Sequence, residues 1–167
     1  MDMNKLLILI TVTLNVFLLS NCGGYASNEI KGYEKSQYGG MLRMANFEHD
    51  WNSSEDAGIS HIYTGNLDGV DYNVTFFNSD NYGSGVESVT ISAIKQYPEA
   101  NFDFSLFTSM VEGVKEECDL QTAYDWLTAH FNNPSDTIIG NIQFNMLAPT
   151  QMVRNLRFSK VLSQDVE

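Results

Sequence analysis

The sequence predicts an α+β domain: one antiparallel sheet of about five strands in the order βββ-α(α)-ββ, with the helical segment packed on one face. Apolar residues alternate with polar ones over residues 59–94 and again over residues 137–162. Between these regions, over residues 103–131, the apolar period changes to three or four residues. The apolar stripes of helix and strands must bury each other, so the helical segment is expected on the apolar side of the sheet.

The segment before the first clear strand is ambiguous. Over residues 41–51 the pattern fits either a short helix or an edge strand. Residues 52–58 are polar and acidic, which predicts a loop. The predicted domain begins with this segment and covers residues 41–167.

Three short-linked strands are predicted next, over residues 59–65, 70–78 and 86–94, and they form an antiparallel meander. The first two flank a turn over residues 66–69 that ends in Asp68-Gly69, a pair that suits the positive φ angles of a tight hairpin. Residues 79–85 are Gly-rich and predict the connection to the third strand. They do not follow the spacing of an EF-hand calcium loop.

Helical structure is predicted over residues 103–131, as one kinked helix or two. Asp103 is placed to cap the first turn, and Asp119 can cap a second helix. Residues 132–134, Asn-Asn-Pro, end the helical pattern. Two final strands are predicted over residues 137–147 and 152–162, joined through Ala148, Pro149 and Thr150.

The N-terminus has the pattern of an export signal. Residues 6–19 are apolar and follow Lys5, and this run is too short to cross a bilayer comfortably. Leu19, Ser20, Asn21 and Cys22 then resemble the lipobox of bacterial lipoproteins. The resemblance covers only this end of the chain, and it implies that Cys22 becomes the lipidated first residue of the mature protein.

The resemblance divides the chain into a signal peptide over residues 1–21, a Gly-rich flexible tether over residues 22–40, and the acidic domain. It implies an extracytoplasmic protein, held by its lipid at the outer membrane or cell surface. The alternative is a secreted, unlipidated protein cut after Ala26. A single lipid chain anchors weakly, and no basic patch assists it, so more than one acyl chain is expected on Cys22.

The charge is strongly and unevenly negative. The chain carries a net charge of −12, and between Arg43 and Arg154 the only basic residues are Lys95 and Lys115, against sixteen Asp and Glu. Such a surface repels phosphate backbones and anionic headgroups. Nucleic acid is therefore excluded as a partner, and membrane contact is expected through the lipid on Cys22.

The second cysteine, Cys118, falls on the apolar stripe of the predicted helix. A free cysteine in that position usually packs as a small hydrophobe. Its acidic neighbours Glu116, Glu117 and Asp119 would raise its pKa, which argues against a nucleophile. His130 lies near the predicted helix C-terminus, where an imidazole helps to satisfy terminal carbonyls.

One short span contains residue types that bind metals or transfer protons: Glu48, His49, Asp50, Glu55, Asp56 and His61. Their spacing matches no known metal site, so we interpret His49 as part of a surface loop and His61 as an ordinary strand histidine. No metal or other cofactor is expected, and no catalytic signature is present. The alternative is a small hydrolase or metal-dependent enzyme that uses His49, His61 and nearby carboxylates.

The face of the sheet away from the helices is predicted to be polar and nearly uncharged. It would carry Asn73, Thr75, Phe77, Asn141, Gln143 and Asn145. Faces of this kind can bind a partner protein or a polymer such as a glycan. Of these, Asn73, Thr75, Asn141, Gln143 and Asn145 are the candidate binding residues. The leading interpretation is a non-catalytic binding or accessory role, with another envelope protein as the partner.

Overall fold

The computed structural model describes residues 28–54, 58–79 and 85–161, and in these ranges the chain forms three helices, a 3-10 helix and seven strands. In chain order they are α1 (Lys35–Met44), β1 (Glu48–Ser54), β2 (Gly58–Leu67), β3 (Val70–Asn78), β4 (Ser88–Lys95), α2 (Phe104–Val111), the 3-10 helix (Glu112–Val114), α3 (Leu120–His130), β5 (Ser135–Ile139), β6 (Ile142–Thr150) and β7 (Val153–Lys160). The signal peptide and Cys22 lie outside the described residues.

The strands form one antiparallel sheet in the order β1-β2-β3-β4-β7-β6-β5. Strands β1 to β4 are a meander, and β5 to β7 are a second one that joins it through the β4–β7 pair. The helical segment α2–α3 connects central strand β4 to edge strand β5. The α+β class with an antiparallel sheet is therefore confirmed, but the sheet has seven described strands where about five were predicted.

Both additional strands come from segments that contain two secondary-structure elements where the sequence pattern was interpreted as one. The ambiguous residues 41–51 contain the end of α1 and the start of β1. Strand β1 continues to Ser54 and β2 begins at Gly58, so the predicted loop over residues 52–58 is wrong for residues 52–54 and for residue 58. Residues 55–57 of that loop lie outside the described residues.

The predicted strand over residues 137–147 is in fact a hairpin of β5 and β6. The two-residue turn is Gly140-Asn141, and Gly140 has φ +60°, a left-handed conformation that glycine adopts at little cost. The hairpin leaves Ile138 57% exposed, whereas Ile139 is buried. Alternation alone did not reveal the turn, because apolar residues lie on both sides of it.

The first hairpin matches its prediction closely. Strand β3 has the predicted bounds, Val70–Asn78, and Leu67 pairs with Val70 across the turn. Asp68 has φ +49° and Gly69 has φ +81°, as the Asp-Gly turn requires. The predicted connection over residues 79–85 lies mostly outside the described residues.

The helical segment contains two helices separated by the 3-10 helix. The Asp103 side chain accepts a hydrogen bond from the Ser105 amide and caps α2, and that of Asp119 accepts one from the Thr122 amide and caps α3. Both predicted caps are confirmed. Each satisfies an amide at the start of its helix that has no partner within the helix.

The core lies between the helices and one face of the sheet, which we call the covered face. Its central row runs in register across the sheet through Tyr63, Val74, Ile91, Leu156 and Met146. The helices contact this face through rings: Phe107 of α2 packs on Tyr72, and Trp126 of α3 packs on Phe144.

The segment before β1 differs from the prediction of a flexible tether over residues 22–40. Ile30 is buried, and its amide donates to the Val86 carbonyl at 2.7 Å. Tyr33 is buried against Phe76 and Phe158 of the sheet, and its hydroxyl donates to the Met110 carbonyl. These aromatic contacts attach residues 30–44 to the domain, which therefore begins before residue 41.

Candidate functional site

The second face of the sheet, which we call the open face, carries mostly polar side chains in three rows across the strands. From β1 to β5 across the sheet, the central row contains Asp50, Ile62, Thr75, Thr90, Arg157, Asn145 and Asp136. One flanking row contains Glu48, Thr64, Asn73, Ser92, Asn155 and Leu147; the other contains Asn52, Ser60, Phe77, Ser88, Ser159, Gln143 and Ile138. The ring contacts of the described helices are all on the covered face.

Arg157 is the one cation in these three rows, and it lies at their centre. Its strand neighbours are Thr90 and Asn145, neither of which is charged. The described part of the chain contains two ion pairs, Lys31–Glu116 and Lys160–Glu117, so Arg157 has no described acidic partner. Burial lowers the pKa of the Arg157 guanidinium, although arginine stays charged at any physiological pH.

Four of the five candidate binding residues lie on the open face, and one does not. Asn73 and Thr75 are on β3, while Gln143 and Asn145 are on β6, separated by β4 and β7. Asn141 belongs to the β5–β6 turn, and its amide group donates to a carboxylate oxygen of Glu117 at 2.9 Å. The assignment of Asn141 to this face is wrong, because a turn residue does not follow the alternation of the strand.

His49 and His61 are brought together on the covered face of the sheet. They lie on adjacent strands β1 and β2, and His49 Nε2 is 3.1 Å from His61 Nδ1. His49 therefore belongs to a strand and not to a loop. Two basic side chains of α1 contact the outer nitrogens of the two imidazoles. Lys35 Nζ lies 3.1 Å from His61 Nε2, and Arg43 Nη2 lies 3.0 Å from His49 Nδ1. We call these four residues the histidine row.

The row packs on Tyr63, whose ring centroid is 4.5 Å from that of His49. Burial lowers the pKa of both histidines, and the nearby charges of Lys35 and Arg43 lower it further. The charge of Asp50 raises the pKa of His49, but the net shift of that pKa remains downward. Both imidazoles are therefore neutral near pH 7.

Carboxylates do not join the two histidines to make a metal centre in the described ranges. No group of three or more His, Cys, Asp or Glu side chains is arranged there to hold a metal ion. The Asp50 carboxylate instead accepts a hydrogen bond from the Trp51 amide. Glu55 and Asp56 lie outside the described residues.

Cys118 is partly buried in the turn before α3. Burial raises the pKa of its thiol to about 11, with further contributions from Asp119 and Glu117. His130 contacts the Trp126 carbonyl through Nδ1 at 2.9 Å, consistent with the predicted role near the helix end. Neither residue has the surroundings of a nucleophile or general base.

Sequence reasoning missed three basic residues that the fold places at distinctive positions. Lys35 and Arg43 complete the histidine row, although nothing in their spacing points to His49 or His61. Arg154 is buried without a carboxylate and lies against the rings of Phe102 and Phe131, at 4.8 and 5.7 Å from their centroids. Its Nη atoms donate to the carbonyls of residues 150 and 153 and to Asn132, while its Nε has no partner in the described structure.

Within the ranges that the structure describes, none of the helices has the length and apolar character needed to cross a membrane. Comparison of the chain with known protein families, with curated proteins and with solved structures finds no match.

Proposed function

We propose that this chain is an extracytoplasmic bacterial lipoprotein, anchored by lipid on Cys22, whose domain binds another envelope protein without catalysis. The anchor is supported by the apolar run and the lipobox-like residues that end at Cys22. The binding role is supported by the open face of the sheet. Attachment to one membrane raises the effective concentration of the domain toward neighbours on that membrane.

The single observation that carries the binding role is Arg157 at the centre of a polar face with no described acidic partner. A half-buried guanidinium loses hydration and gains no ion pair within the described domain. A carboxylate of a partner protein would accept two parallel hydrogen bonds from it. The surrounding Asn, Thr and Ser side chains would supply the polar contacts that are common at interfaces.

The packing of residues 30–44 shortens the connection to the proposed anchor. Only residues 23–29 separate Cys22 from Ile30, and seven residues span at most about 25 Å. The domain would therefore remain close to the membrane surface, within reach of proteins anchored in the same way.

Site-specific photocrosslinking in intact cells tests the binding role. A crosslinking amino acid at Thr90, in the central row of the open face, is expected to give a discrete adduct with an envelope protein. The same group at Thr128, an exposed position on α3, is the matched control and should not give that adduct. Arg157→Gln should abolish the Thr90 adduct. Equal adducts at both positions, or none at Thr90, would exclude the open face as the binding surface.

The intact mass of the mature protein tests the anchor separately. A diacyl or triacyl mass that disappears in Cys22→Ser supports lipidation. A mature chain that starts at Ser27 supports the secreted alternative.

The contact between His49 and His61 favours a second candidate, a small hydrolase. Both imidazoles are neutral near pH 7 and partly exposed, as a general base must be. Hydrolysis of a panel of ester and phosphoester substrates would test this candidate. It predicts turnover that is lost in His61→Gln and retained in His130→Gln.

A further inference from the structure

We propose that Lys35, Arg43, His49 and His61 form a binding site for a small oxyanion of the phosphate type. The site lies between α1 and the pair formed by edge strand β1 and its neighbour β2. It is distinct from the open face, so the inference does not depend on the proposed binding role.

The first argument is a count of protons along the row. Lys⁺ and Arg⁺ can only donate hydrogen bonds, and a neutral imidazole has one N–H and one acceptor nitrogen. Lys35 therefore uses the acceptor of His61 at Nε2, and Arg43 uses that of His49 at Nδ1. The remaining nitrogens, His61 Nδ1 and His49 Nε2, must then both carry hydrogen. These two N–H groups face each other at 3.1 Å with no acceptor between them.

An oxyanion oxygen resolves this conflict, because it can accept from both imidazole N–H groups at once. The positive charges of Lys35 and Arg43, which contact the outer nitrogens of the two imidazoles, favour an anion at this position. The ligand thus adds the acceptor that the two facing imidazole N–H groups lack.

A metal ion does not resolve the conflict. A cation bound by His49 Nε2 and His61 Nδ1 would require hydrogen on the two outer nitrogens, which would then face the donors of Arg43 and Lys35. It would also lie beside two positive charges. The same geometry therefore distinguishes an anion from a metal.

Charge supports this assignment. The chain has a net charge of −12, yet two of its nine Lys and Arg residues converge on the two histidines. Neither Lys35 nor Arg43 belongs to an ion pair in the described structure. Among the described residues, Asp50 is the carboxylate whose charge acts on His49, and none acts in this way on His61. Arg43 is exposed and the histidines are partly exposed, so a small ligand has access.

Nuclear magnetic resonance of the purified protein labelled with ¹⁵N-histidine tests the site. Inorganic phosphate is titrated at constant ionic strength against chloride, at about pH 8, where both imidazoles are neutral. We expect saturable shifts of the imidazole resonances of His49 and His61. His130 lies in α3, away from the row, and should not shift.

Two charge-matched variants make the test specific. Arg43→Gln should weaken phosphate binding about tenfold, the effect of losing about 1.4 kcal/mol. Lys115→Gln removes the same charge from an exposed position in another part of the chain and should change the affinity less than about twofold. Equal weakening by both variants would show that only the overall charge matters and would overturn the site.

A second titration identifies the source of the phosphate group. Vesicles of phosphatidylglycerol are compared with vesicles of uncharged phosphatidylcholine. Shifts of His49 and His61 with inorganic phosphate indicate a soluble ligand. Shifts with phosphatidylglycerol vesicles alone indicate a lipid headgroup. The absence of shifts in both titrations would disprove the proposal.

Discussion

The Glu117 carboxylate lies 2.8 Å from the Lys160 ammonium nitrogen and joins the turn after the 3-10 helix to the end of β7. The Glu117 side chain is 5% exposed, and it also accepts hydrogen bonds from the Lys31 amide at 3.0 Å and the Asn141 amide group at 2.9 Å. Burial alone would raise the Glu117 pKa, but these hydrogen bonds outweigh burial and lower it. One carboxylate thus connects the N-terminal segment, the β5–β6 turn and β7.

Glu117→Gln should lower the free energy of unfolding by about 2–3 kcal/mol, because it leaves the Lys160 ammonium without its counter-charge. Urea denaturation monitored by tryptophan fluorescence measures the change. Glu116→Gln is the matched control, since its pair with Lys31 is longer, at 3.8 Å, and largely exposed. We expect less than about 0.5 kcal/mol for the control. Equal losses in the two variants would contradict the role of Glu117.

Stability should fall as the pH is lowered from about 7 to about 5 in a buffer without phosphate. The pKa values of His49 and His61 are lowered in the folded protein, so protonation favours the unfolded chain, in which a histidine titrates near 6.5. The stabilisation is present above pH 6.5 and is lost as the pH falls through the folded pKa values. Urea denaturation across this range measures the loss.

The double variant His49→Gln, His61→Gln should flatten this dependence on pH. His130→Gln is the control and should retain the slope of the unchanged protein. A slope that is unaltered in the double variant would assign the titration to other groups.

Cys118 should react slowly with thiol reagents in the folded protein. Its pKa is raised to about 11, so about one thiol in a thousand is ionised near pH 8. In a Cys22→Ser background, we expect the reaction with a chromogenic disulfide reagent to be at least about a hundredfold slower in the native protein than in urea. Asp119→Asn removes the secondary charge effect and retains a capping side chain, so it should accelerate the reaction only slightly. A native rate near that in urea would contradict the burial of the thiol.

Two adjacent glycines in α1 should respond oppositely to substitution by alanine. A Cβ at Gly40 would have no other atom within 4 Å, so Gly40→Ala should stabilise the protein by about 0.5–1 kcal/mol through helix propensity. A Cβ at Gly39 would collide with the Tyr63 hydroxyl, and Gly39→Ala should destabilise it. Thermal denaturation of both variants gives the comparison. Changes of the same sign would contradict the close packing of α1 on Tyr63.

The features that the sequence predicted well depend on neighbours along the chain. The bounds of β3 follow from strict alternation after a turn, and that turn requires positive φ at Asp68 and Gly69. The caps at Asp103 and Asp119 are equally local, because each side chain bonds an amide two or three residues later. The hairpin at Gly140 was missed because Ile138 and Ile139 are both apolar, so the pattern did not show which one is buried.

The amino-acid sequence by itself determined the α+β class, the caps, the first hairpin and four residues of the open face, because periodicity and turn chemistry act over a few residues. Only the tertiary structure decided which distant side chains meet. Pairing of β1 with β2 and the position of α1 bring Lys35, Arg43, His49 and His61 into one row. Pairing of β4 with β7 places Arg157 beside Thr90. Strand register and helix position depend on the packing of the whole core. Residue spacing along the chain therefore does not predict these contacts.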